Sequence, residues 1–491
     1  MREPITTLSE PHLYSSRFVE PGNFHRVSHF YERVLNAHVH PLLSYFFSLG
    51  NERIVRRYRH LHPEVDEDSV RALLTIEPKH FRWAGCDLFH VATAEGRRQL
   101  VVIETNSSPS GQKSMPHIQE ASEYGGYTDL LSKAFLPLLK RRHVPRGDLA
   151  VFYDKNLMEA SGYAAALADL SNETVLLLHL QDHALNASVR TTDDGILEAR
   201  GPDQAWRPIR GALRYVTQRP WNRIPPLSRT VVFNPVLVCL AGGRNKLLAA
   251  KAYDVQNGEL QPTGLRIRFP ETLVDVPKAQ VPQLVSRMGG IAVVKVPYSN
   301  AGQGVFTITS AEELEAFMDQ EHHYDRFIVQ ALIGNTKWSS RSPYGQLYHV
   351  GTMPDRRGQI YVVDIRLMVG AGPDGFFPVA VYARRARAPL TETLDSAKRS
   401  WDMLGTNLSL KQSNETWSTD TERLLLMDSR DFNQLGLGLD DLIEAYVQTV
   451  LSVNAIDRMA SSLVTSKGKF RTKLFHSINP DPALMEELCL R

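Results

Sequence analysis

The stretch that most constrains this chain is residues 81–106, FRWAGCDLFHVATAEGRRQLVVIETN. Strand-forming residues on both sides of a central Glu-Gly pair predict two strands joined by a tight turn. The hairpin places Asp87 on its first strand and Glu104 with Asn106 on its second. Because side chains two residues apart on a strand point to the same face, Glu104 and Asn106 share one side. Carboxylate and amide oxygens are donors that Mg²⁺ accepts, so this end of the hairpin is a candidate metal site.

The overall composition is that of an ordinary soluble globular protein. Hydrophobic residues make up 43% of the 491 residues and charged residues 22%, enough for the cores of several domains. Lysine and arginine number 56 against 54 acidic residues, a net charge of +2. This balance provides no basis for a nucleic-acid or membrane surface, so we expect neither as a partner.

The cysteines and the N-terminus indicate a reducing compartment. Cys86, Cys239 and Cys489 are odd in number and form no CxxC pair, which argues against a disulfide framework and a zinc ribbon. The N-terminal MREPITTLSEPHLYSSRF lacks the apolar core of a signal peptide, and no apolar run approaches the roughly 18 residues of a membrane span. We therefore expect a cytoplasmic protein.

Hydrophobic periodicity predicts the other elements. Apolar residues at helical spacing predict helices within 24–75 and a further helix over 117–139. Residues 149–240 alternate strand and helix, which predicts a parallel sheet with βαβ connections. A last long helix is predicted over 438–465, with Asp440 as its N-cap.

A second polar turn lies in VVKVPYSNAGQGVF, where two apolar strands within 291–309 flank a glycine-rich loop. Gly302 and Gly304 permit a tight turn whose backbone N–H groups can approach an anion. Lys295 lies shortly before the loop and can reach a phosphate as a point charge. The loop joins two strands instead of entering a helix, so it is not a Walker A motif. A plain hairpin with a solvated lysine explains this segment alone equally well.

Further segments with cations and apolar strands surround this loop in the sequence. Lys246 opens a helix predicted upstream, and RFIVQALIG downstream is an apolar strand able to offer backbone donors and acceptors to a base. DIRLMV places Asp364 and Arg366 on one strand face. FPVAVYARRARAPL is predicted to pair with that strand, and it carries Arg384 and Arg385.

This order of parts resembles the ATP-grasp fold, in which lysines, a glycine-rich hairpin, a hinge strand and an Asp-x-Arg strand clamp ATP between α+β lobes. The family's last element is an Asp on one strand and Glu-x-Asn on the next. It is absent after residue 390 and is matched upstream by Asp87, Glu104 and Asn106. The sequence therefore resembles a circularly permuted branch of the family, over roughly residues 25–465.

The resemblance implies an α+β / α/β fold: a circularly permuted ATP-grasp core with a helical N-terminal region and a βαβ pre-ATP-grasp-like domain. The implied division is a helical region over 1–80, a metal-binding hairpin and helix over 81–145, an α/β substrate domain over 146–243, nucleotide-binding lobes over 244–465 and a tail over 466–491. The tail is basic and then acidic, and we expect it to be mobile.

The resemblance also implies a role for each motif. The implied ligands of one or two Mg²⁺ ions are Asp87, Glu104 and Asn106. The implied contacts to ATP are Lys246, Lys295, Ser299, Asn300, Ala301, Gly302, Gln303 and Gly304 at the phosphates, and Gln330, Ala331 and Leu332 at adenine. The implied catalytic cations are Lys295, Arg366 and Arg384. The implied border of the acceptor substrate is Ser110, Gly111, Lys113, Ser114 and Arg214.

The chain departs from the family pattern at the hinge. Many members carry Glu where this chain has Gln330, and the acid expected at the ribose is absent from ALIGNTKW. These departures leave the nucleotide preference open, whereas the implied metal ligands and both lysines are intact.

Several polar residues also have ordinary structural explanations. Arg214 is as readily a surface residue as a substrate ligand. The segment KNLMEASGY either opens onto the cleft through Lys155, Asn156 and Glu159 or simply caps its helix. His90, His117 and His349 lack partners at metal-ligand spacing, so we expect no zinc.

The function implied by the resemblance is that of an ATP-dependent carboxylate–amine ligase. ATP would convert a small-molecule carboxylate to an acyl phosphate, and an amine would then form a peptide or amino-acid amide. A small-molecule kinase and a non-catalytic nucleotide-binding scaffold remain the alternatives. A homodimer would be the commonest assembly for such a chain.

Overall fold

The computed structural model describes residues 16–118, 123–180, 188–216, 224–299, 302–394, 399–411 and 417–489. Asn300 and Ala301, both assigned to the glycine-rich loop, lie outside these ranges. Among the described helices, none has both the length and the apolar character needed to cross a membrane.

The strands follow one another along the whole chain. In order they are β1 (Ser16–Val19), β2 (Trp83–Thr93), β3 (Arg98–Ser107), β4 (Asp148–Tyr153), β5 (Val175–His179), β6 (Val189–Thr191), β7 (Leu197–Arg200), β8 (Trp206–Tyr215), β9 (Val231–Phe233), β10 (Thr272–Pro277), β11 (Ala292–Lys295), β12 (Val305–Ile308), β13 (Arg326–Gln330), β14 (Leu347–His349), β15 (Val363–Gly372), β16 (Gly375–Arg385), β17 (Ser409–Lys411), β18 (Trp417–Thr419) and β19 (Leu424–Leu425).

The described helices range in length from three to 24 residues. In order they are α1 (Arg26–His29), α2 (Glu32–Leu35), α3 (Pro41–Ser48), α4 (Gly50–Leu61), α5 (Glu67–Thr75), α6 (Gly126–Leu130), α7 (Leu136–Leu139), α8 (Leu157–Ser171), α9 (Val236–Val238), α10 (Lys246–Leu260), α11 (Val281–Arg287), α12 (Ala311–Asp319), α13 (Ser400–Leu404), α14 (Ser429–Leu435), α15 (Leu439–Ser462), α16 (Thr472–Ile478) and α17 (Pro482–Cys489).

The central sheet unites the β2–β3 hairpin with strands from the far half of the chain. Its order is β3-β2-β15-β16-β19, and β14 pairs with the far end of β2. The hairpin is therefore confirmed. β15 lies antiparallel to both β2 and β16, so Arg366 is opposite Asp87 on one side and Tyr382 on the other. α15 covers one face of this sheet and is buried from Leu442 to Asp457.

The predicted βαβ region is also confirmed. It forms a sheet in the order β1-β5-β4-β8-β7-β6, with β9 joined to β8. β4 is parallel to β5 and β8, and β8 is parallel to β9. α8 connects β4 to β5 and buries its alanine-rich middle against them, because small side chains allow the helix to approach the sheet closely.

A smaller sheet, in the order β10-β13-β11-β12, has an apolar core of its own. Val294, Phe317 and Phe327 are fully buried in that core. β11 and β12 pair antiparallel, with Lys295 opposite Val305 at the end where the glycine-rich loop connects them. The two-strand prediction for this segment is thus confirmed.

Two helix predictions need correction. The long helix α15 is capped by Gly438, whose N–H donates to the Asp441 carboxylate at 2.8 Å. The predicted cap, Asp440, lies in the first turn and pairs with Arg57 at 2.6 Å. The helix predicted over 117–139 begins only at Gly126, and residues 119–122 lie outside the described part.

The C-terminal tail is packed, contrary to the prediction that it is mobile. α16 and α17 bury Phe475 and Leu484 completely. Asn479, between these helices, is fully buried as well. Apolar residues at helical spacing, among them Leu474, Phe475 and Ile478, pack this tail against the core although it is rich in charged residues.

Candidate active site

A cleft opens between the small sheet and the central sheet. Most residues that the sequence analysis assigned to metal, nucleotide and catalysis line it together: Asp87, Glu104, Asn106, Lys246, Lys295, Gly302, Gln330, Ala331, Leu332, Arg366 and Arg384. Glu104 from the N-terminal hairpin and Lys295 from the small sheet therefore share one cavity.

Lys246 is positioned by the start of α10. Asn245 caps this helix by accepting from the Leu248 N–H at 3.2 Å. The Lys246 ammonium donates to the Ser299 carbonyl and lies 3.2 Å from Glu104 Oε1. The lysine thus connects the hairpin to the start of the glycine-rich loop.

Lys295 is buried at the end of β11. Its Nζ donates to Gln330 Oε1 at 2.7 Å, and Gln330 Nε2 donates in turn to Thr272 Oγ1 at 2.8 Å. Burial, helped by the charge of Lys246, lowers the pKa of Lys295 to about 8, although the Glu104 carboxylate opposes the shift. Lys295 therefore loses its proton more readily than an exposed lysine.

Two arginines clamp Asp87 at the centre of the cleft. Arg366 Nε and Nη2 lie 2.5 and 2.7 Å from its carboxylate oxygens, and Arg384 Nη2 lies 2.9 Å from Oδ2. Arg384 also pairs with Asp364. Burial alone would raise the pKa of the Asp87 carboxyl, but the two guanidinium charges outweigh burial and bring it to about 2. The network fixes the direction in which both arginines face the cleft.

The hairpin residues offer the donor set that a hard divalent cation prefers. Asp87 and Glu104 are direct cross-strand partners, and Asn106 Nδ2 lies 3.5 Å from Asp87 Oδ2. Two carboxylates and an amide oxygen suit Mg²⁺ by chemistry. Asp87, however, has to exchange arginine contacts to become a ligand, whereas Glu104 contacts only Lys246 among the described ion pairs.

The opposite end of the cleft is apolar. Its walls are Phe89 and Ile103 from the hairpin and Leu332 and Ile333 beyond β13. Ser340 holds the hinge in place, because its Oγ accepts from the Leu332 N–H at 2.7 Å and its own N–H donates to the Leu332 carbonyl at 3.0 Å. Ser340 was not among the predicted site residues, because it lies in a polar loop, TKWSSRSPYG, that carries no recognisable motif.

A segment that the sequence analysis also missed closes the cleft. Residues 401–407 contribute Trp401, Leu404 and Asn407 to its wall. Gly302 packs so closely here that a Cβ at this position would come within 3.1 Å of both Asn407 and Trp401. Gly302 also has φ of +74°, a left-handed conformation that favours glycine. No motif marks this segment, because its place depends on packing against β12.

A second, larger cleft continues from the first through the shared residues Asn106, Arg366, Arg384 and Asn407. It is lined by residues assigned to the acceptor substrate and to the loop: Ser110, Lys113, Ser114, Ser299, Gln303 and Gly304. Lys155, Asn156, Arg244 and Tyr382 also line it and were not among the assigned site residues. The excess of lysine and arginine makes its walls cationic.

The loop after β3 is held from behind by Glu159. The buried carboxylate accepts from Ser110 Oγ at 2.8 Å and from the N–H groups of Gly111 and Gln112 at 2.9 and 3.0 Å. Glu159 therefore supports the loop and does not line the cleft. Gly111, predicted to border the acceptor substrate, is buried beneath the cleft wall. Lys113 donates to Asn156 at 3.1 Å, which fixes the other end of the loop.

Arg214, predicted to border the acceptor substrate, lies behind the cleft instead. Its guanidinium is buried and donates to the carbonyl oxygens of Asn234 and Val216, both at 2.9 Å. It also contacts Ser108 Oγ and Cys239 Sγ. Arg214 therefore stabilises the loop after β3 through Ser108, and its other donors bind groups within the protein.

Comparisons with known proteins return structural neighbours only. No family model matches the chain, and no curated protein matches it. A RimK-domain ATP-grasp protein from Sphaerobacter thermophilus is similar at 15% identity and a TM-score of 0.28, covering 48% of this chain and 90% of its own. A glutathione synthetase-like effector from Globodera pallida is similar at 9% identity and a TM-score of 0.37, covering 70% and 81%.

D-alanyl-alanine synthetase A from Vibrio cholerae is similar at 11% identity and a TM-score of 0.30, covering 48% of this chain and 88% of its own. Likenesses at these scores are too weak to establish a shared activity.

Proposed function

We propose that this protein is an ATP-dependent carboxylate–amine ligase of the ATP-grasp type. The observation that carries the proposal is the two-ended cleft, apolar at Phe89 and Leu332 and cationic at Lys246 and Lys295. A purine suits the apolar end and a triphosphate suits the lysines. Circular permutation of the fold remains a prediction, supported by the pairing of β2 with β15.

The phosphates would lie between the glycine-rich loop and the hairpin. Lys246 already reaches the loop through Ser299 and the hairpin through Glu104, so its ammonium marks where the two walls meet. Lys295 would add a second positive charge from the floor of the cleft. Its partner Gln330 is neutral, so a phosphate would meet little competition for this cation.

Glu104 and Asn106, with Asp87, would hold one or two Mg²⁺ ions, which would offset the charge of the phosphates. Within this set, Glu104 is the carboxylate least committed to protein cations. Until it exchanges these contacts for a metal ion, Asp87 keeps Arg366 and Arg384 oriented towards the junction of the two clefts.

The junction is where the proposed chemistry would occur. A carboxylate oxygen of the substrate takes the γ-phosphoryl group of ATP, and ADP leaves. The amine nitrogen then attacks the acyl carbon, the phosphate leaves with the electrons of the C–O bond, and the nitrogen loses a proton. Arg366 and Arg384 line both clefts at this point, so their charge would stabilise the phosphoryl oxygens as they are transferred.

The acyl phosphate would need protection from water. The glycine-rich loop packs on Trp401 and Asn407 through Gly302, and this contact would close the nucleotide end of the cleft. A closed cleft keeps water from competing with the amine. The neighbouring cationic cleft, with Lys113 near its loop, would receive the carboxylate substrate.

The test is phosphate release from Mg-ATP by the purified chain, against pools of amino acids and small carboxylic acids, with mass spectrometry of each positive pool. The expected result is phosphate release that requires both acceptors, with a product lighter by one water than the summed substrates. A phosphorylated product with no new C–N bond would contradict the ligase and identify a kinase.

Matched variants make the test specific to the cleft. Glu104→Gln and Lys246→Met keep side-chain size, so they should fold normally and lose most turnover. Lys469→Met, at an exposed lysine of the tail, is the control and should retain activity. Full turnover in Glu104→Gln would contradict the proposed role of the hairpin.

A further inference from the structure

The apolar end of the nucleotide cleft offers few polar groups that could recognise a base. Both ends of the Gln330 amide are used, one by Lys295 at 2.7 Å and the other by Thr272 at 2.8 Å. The Leu332 N–H and carbonyl are both bound to Ser340. The Gln330 side chain and the Leu332 backbone are therefore already engaged within the protein.

His349 is a polar side chain in the wall at this end. β14 holds it firmly, because its N–H donates to the Gly334 carbonyl at 2.9 Å and it pairs with Val91 of β2. Its ring meets Phe89 edge-on, with ring centroids 4.6 Å apart and planes at 83°. The His349 imidazole is thus a fixed part of the wall at the apolar end of the nucleotide cleft.

The hydrogen bonds of the His349 ring determine which ring nitrogen can still accept one from a ligand. The ring is hydrogen-bonded to the Ile333 carbonyl, which only a ring N–H can satisfy. Within the described part of the chain, Nδ1 is buried and makes no hydrogen bond. Burial lowers the pKa of His349 to about 3, against the opposing effect of the Ile333 carbonyl, so the ring is neutral at ordinary pH. A neutral imidazole with its N–H committed offers one acceptor.

We propose that His349 selects the base of the bound nucleotide, its second ring nitrogen accepting a hydrogen bond from the exocyclic amine of adenine. The proposal rests on the proposed function, since it requires a nucleotide in this cleft. It assigns to a residue outside the hinge the recognition that the altered hinge at Gln330 leaves open.

The same geometry rejects guanine. Guanine presents a carbonyl oxygen where adenine presents an amine, so an acceptor would face an acceptor. The imidazole could answer only by moving its proton to the other nitrogen, and it would then lose its bond to the Ile333 carbonyl. An unsatisfied buried polar group of this kind corresponds to about a tenfold loss of affinity or more.

The test is calorimetric titration of the full chain with the magnesium complexes of ATP, GTP and purine riboside triphosphate, which lacks the exocyclic group. We expect the wild type to bind ATP about tenfold more tightly than purine riboside triphosphate, and GTP more weakly still. In His349→Phe, the affinity for ATP should fall to that for purine riboside triphosphate, whose own affinity should not change.

The control is His60→Phe, at an exposed histidine of α4, which should keep the wild-type preference. Equal binding of ATP and purine riboside triphosphate by the wild type would overturn the inference, and this arm needs no variant to fold. Unchanged ATP preference in His349→Phe would overturn it as well. Wild type that binds no nucleotide would overturn the proposed function and this inference together, whereas loss of base preference alone would leave the proposed function standing.

Discussion

At the scale of single residues, the site depends on how burial and charge balance each other. Asp87 and Lys295 are both buried, and burial disfavours the charged form of each. The pKa of Asp87 nevertheless falls, because two arginines contact it, whereas burial and the charge of Lys246 lower the pKa of Lys295 against the opposing Glu104 carboxylate. The side chains that share a strand face could be predicted from the sequence, because two-residue spacing places Glu104 with Asn106 and Asp364 with Arg366. The pairing between those strands could not, since it joins segments far apart in the chain.

The lowered pKa of Lys295 predicts a pH dependence of nucleotide binding. In the protein without nucleotide, Lys295 loses its proton near pH 8, whereas a bound phosphate would raise the pKa of this lysine. The affinity for ATP should therefore weaken as the pH rises through about 8, by up to about tenfold per pH unit. Calorimetric titrations at several pH values measure this slope.

Lys295→Met provides the control for this prediction. The variant should bind ATP more weakly, and its affinity should lack this step near pH 8. Stability gives a second readout. The unfolded lysine keeps its proton up to its ordinary pKa of 10.5, so this group makes the unfolding free energy rise between about pH 8 and 10.5 in the wild type. The same affinity slope in the variant would assign the titration to another group.

At the scale of elements, one buried carboxylate supports the loop that borders the second cleft. Glu159 accepts from one hydroxyl and two backbone N–H groups of that loop. In Glu159→Gln an amide N–H₂ would face one or more of these donors, so the unfolding free energy should fall by about 1–3 kcal/mol. Denaturant unfolding measures this change, and KM for the carboxylate substrate should rise with less effect on kcat.

The matched control is Glu312→Gln, at an exposed glutamate in the first turn of α12. It should change neither stability nor KM appreciably. Wild-type stability in Glu159→Gln would show that the loop does not depend on this carboxylate.

The C-terminal tail connects the two lysine-bearing segments. Buried Asn479 accepts from Asn245, the cap of α10, at 2.6 Å, and donates to the Tyr298 hydroxyl at 2.6 Å, just before the glycine-rich loop. Asn479→Ala should therefore lower the affinity for ATP about tenfold, because Lys246 and the loop lose a common anchor.

Ser477→Ala, an exposed change in α16, is the control and should leave ATP binding unchanged. Thermal unfolding of both variants separates a loss of anchoring from a general loss of stability. Unaltered ATP binding in Asn479→Ala would mean that the tail only packs against the core.

The elements that could be predicted are those with a strong local pattern. The β2–β3 hairpin, β11 with β12, and the β4–α8–β5 unit each have a clear period and a turn. Predictions failed where contacts between distant parts of the chain determine the local structure. Asp440 is a residue type that often caps helices, yet it lies in the first turn of α15 and pairs with Arg57 of α4, while Gly438 is the N-cap.

At the scale of the whole molecule, the site exists because β2 pairs with β15 and places the N-terminal hairpin beside strands that come much later in the chain. The small sheet then covers this seam and supplies both the loop and Lys295. The order of motifs predicted that these parts belong together. Segments without a motif, such as residues 401–407 and the serine behind the hinge, could not be foreseen, because only the assembled fold brings them to the cleft.

The central claim is that a substrate carboxylate is activated by phosphoryl transfer at the junction of the two clefts. The most direct measurement is a reaction with the substrate identified by the pool assay, carrying ¹⁸O in its carboxylate, followed by mass spectrometry of the released phosphate. The account predicts that one ¹⁸O atom passes from the carboxylate to phosphate and that the amide product retains the other. Unlabelled phosphate with turnover, or label found in AMP, would contradict it.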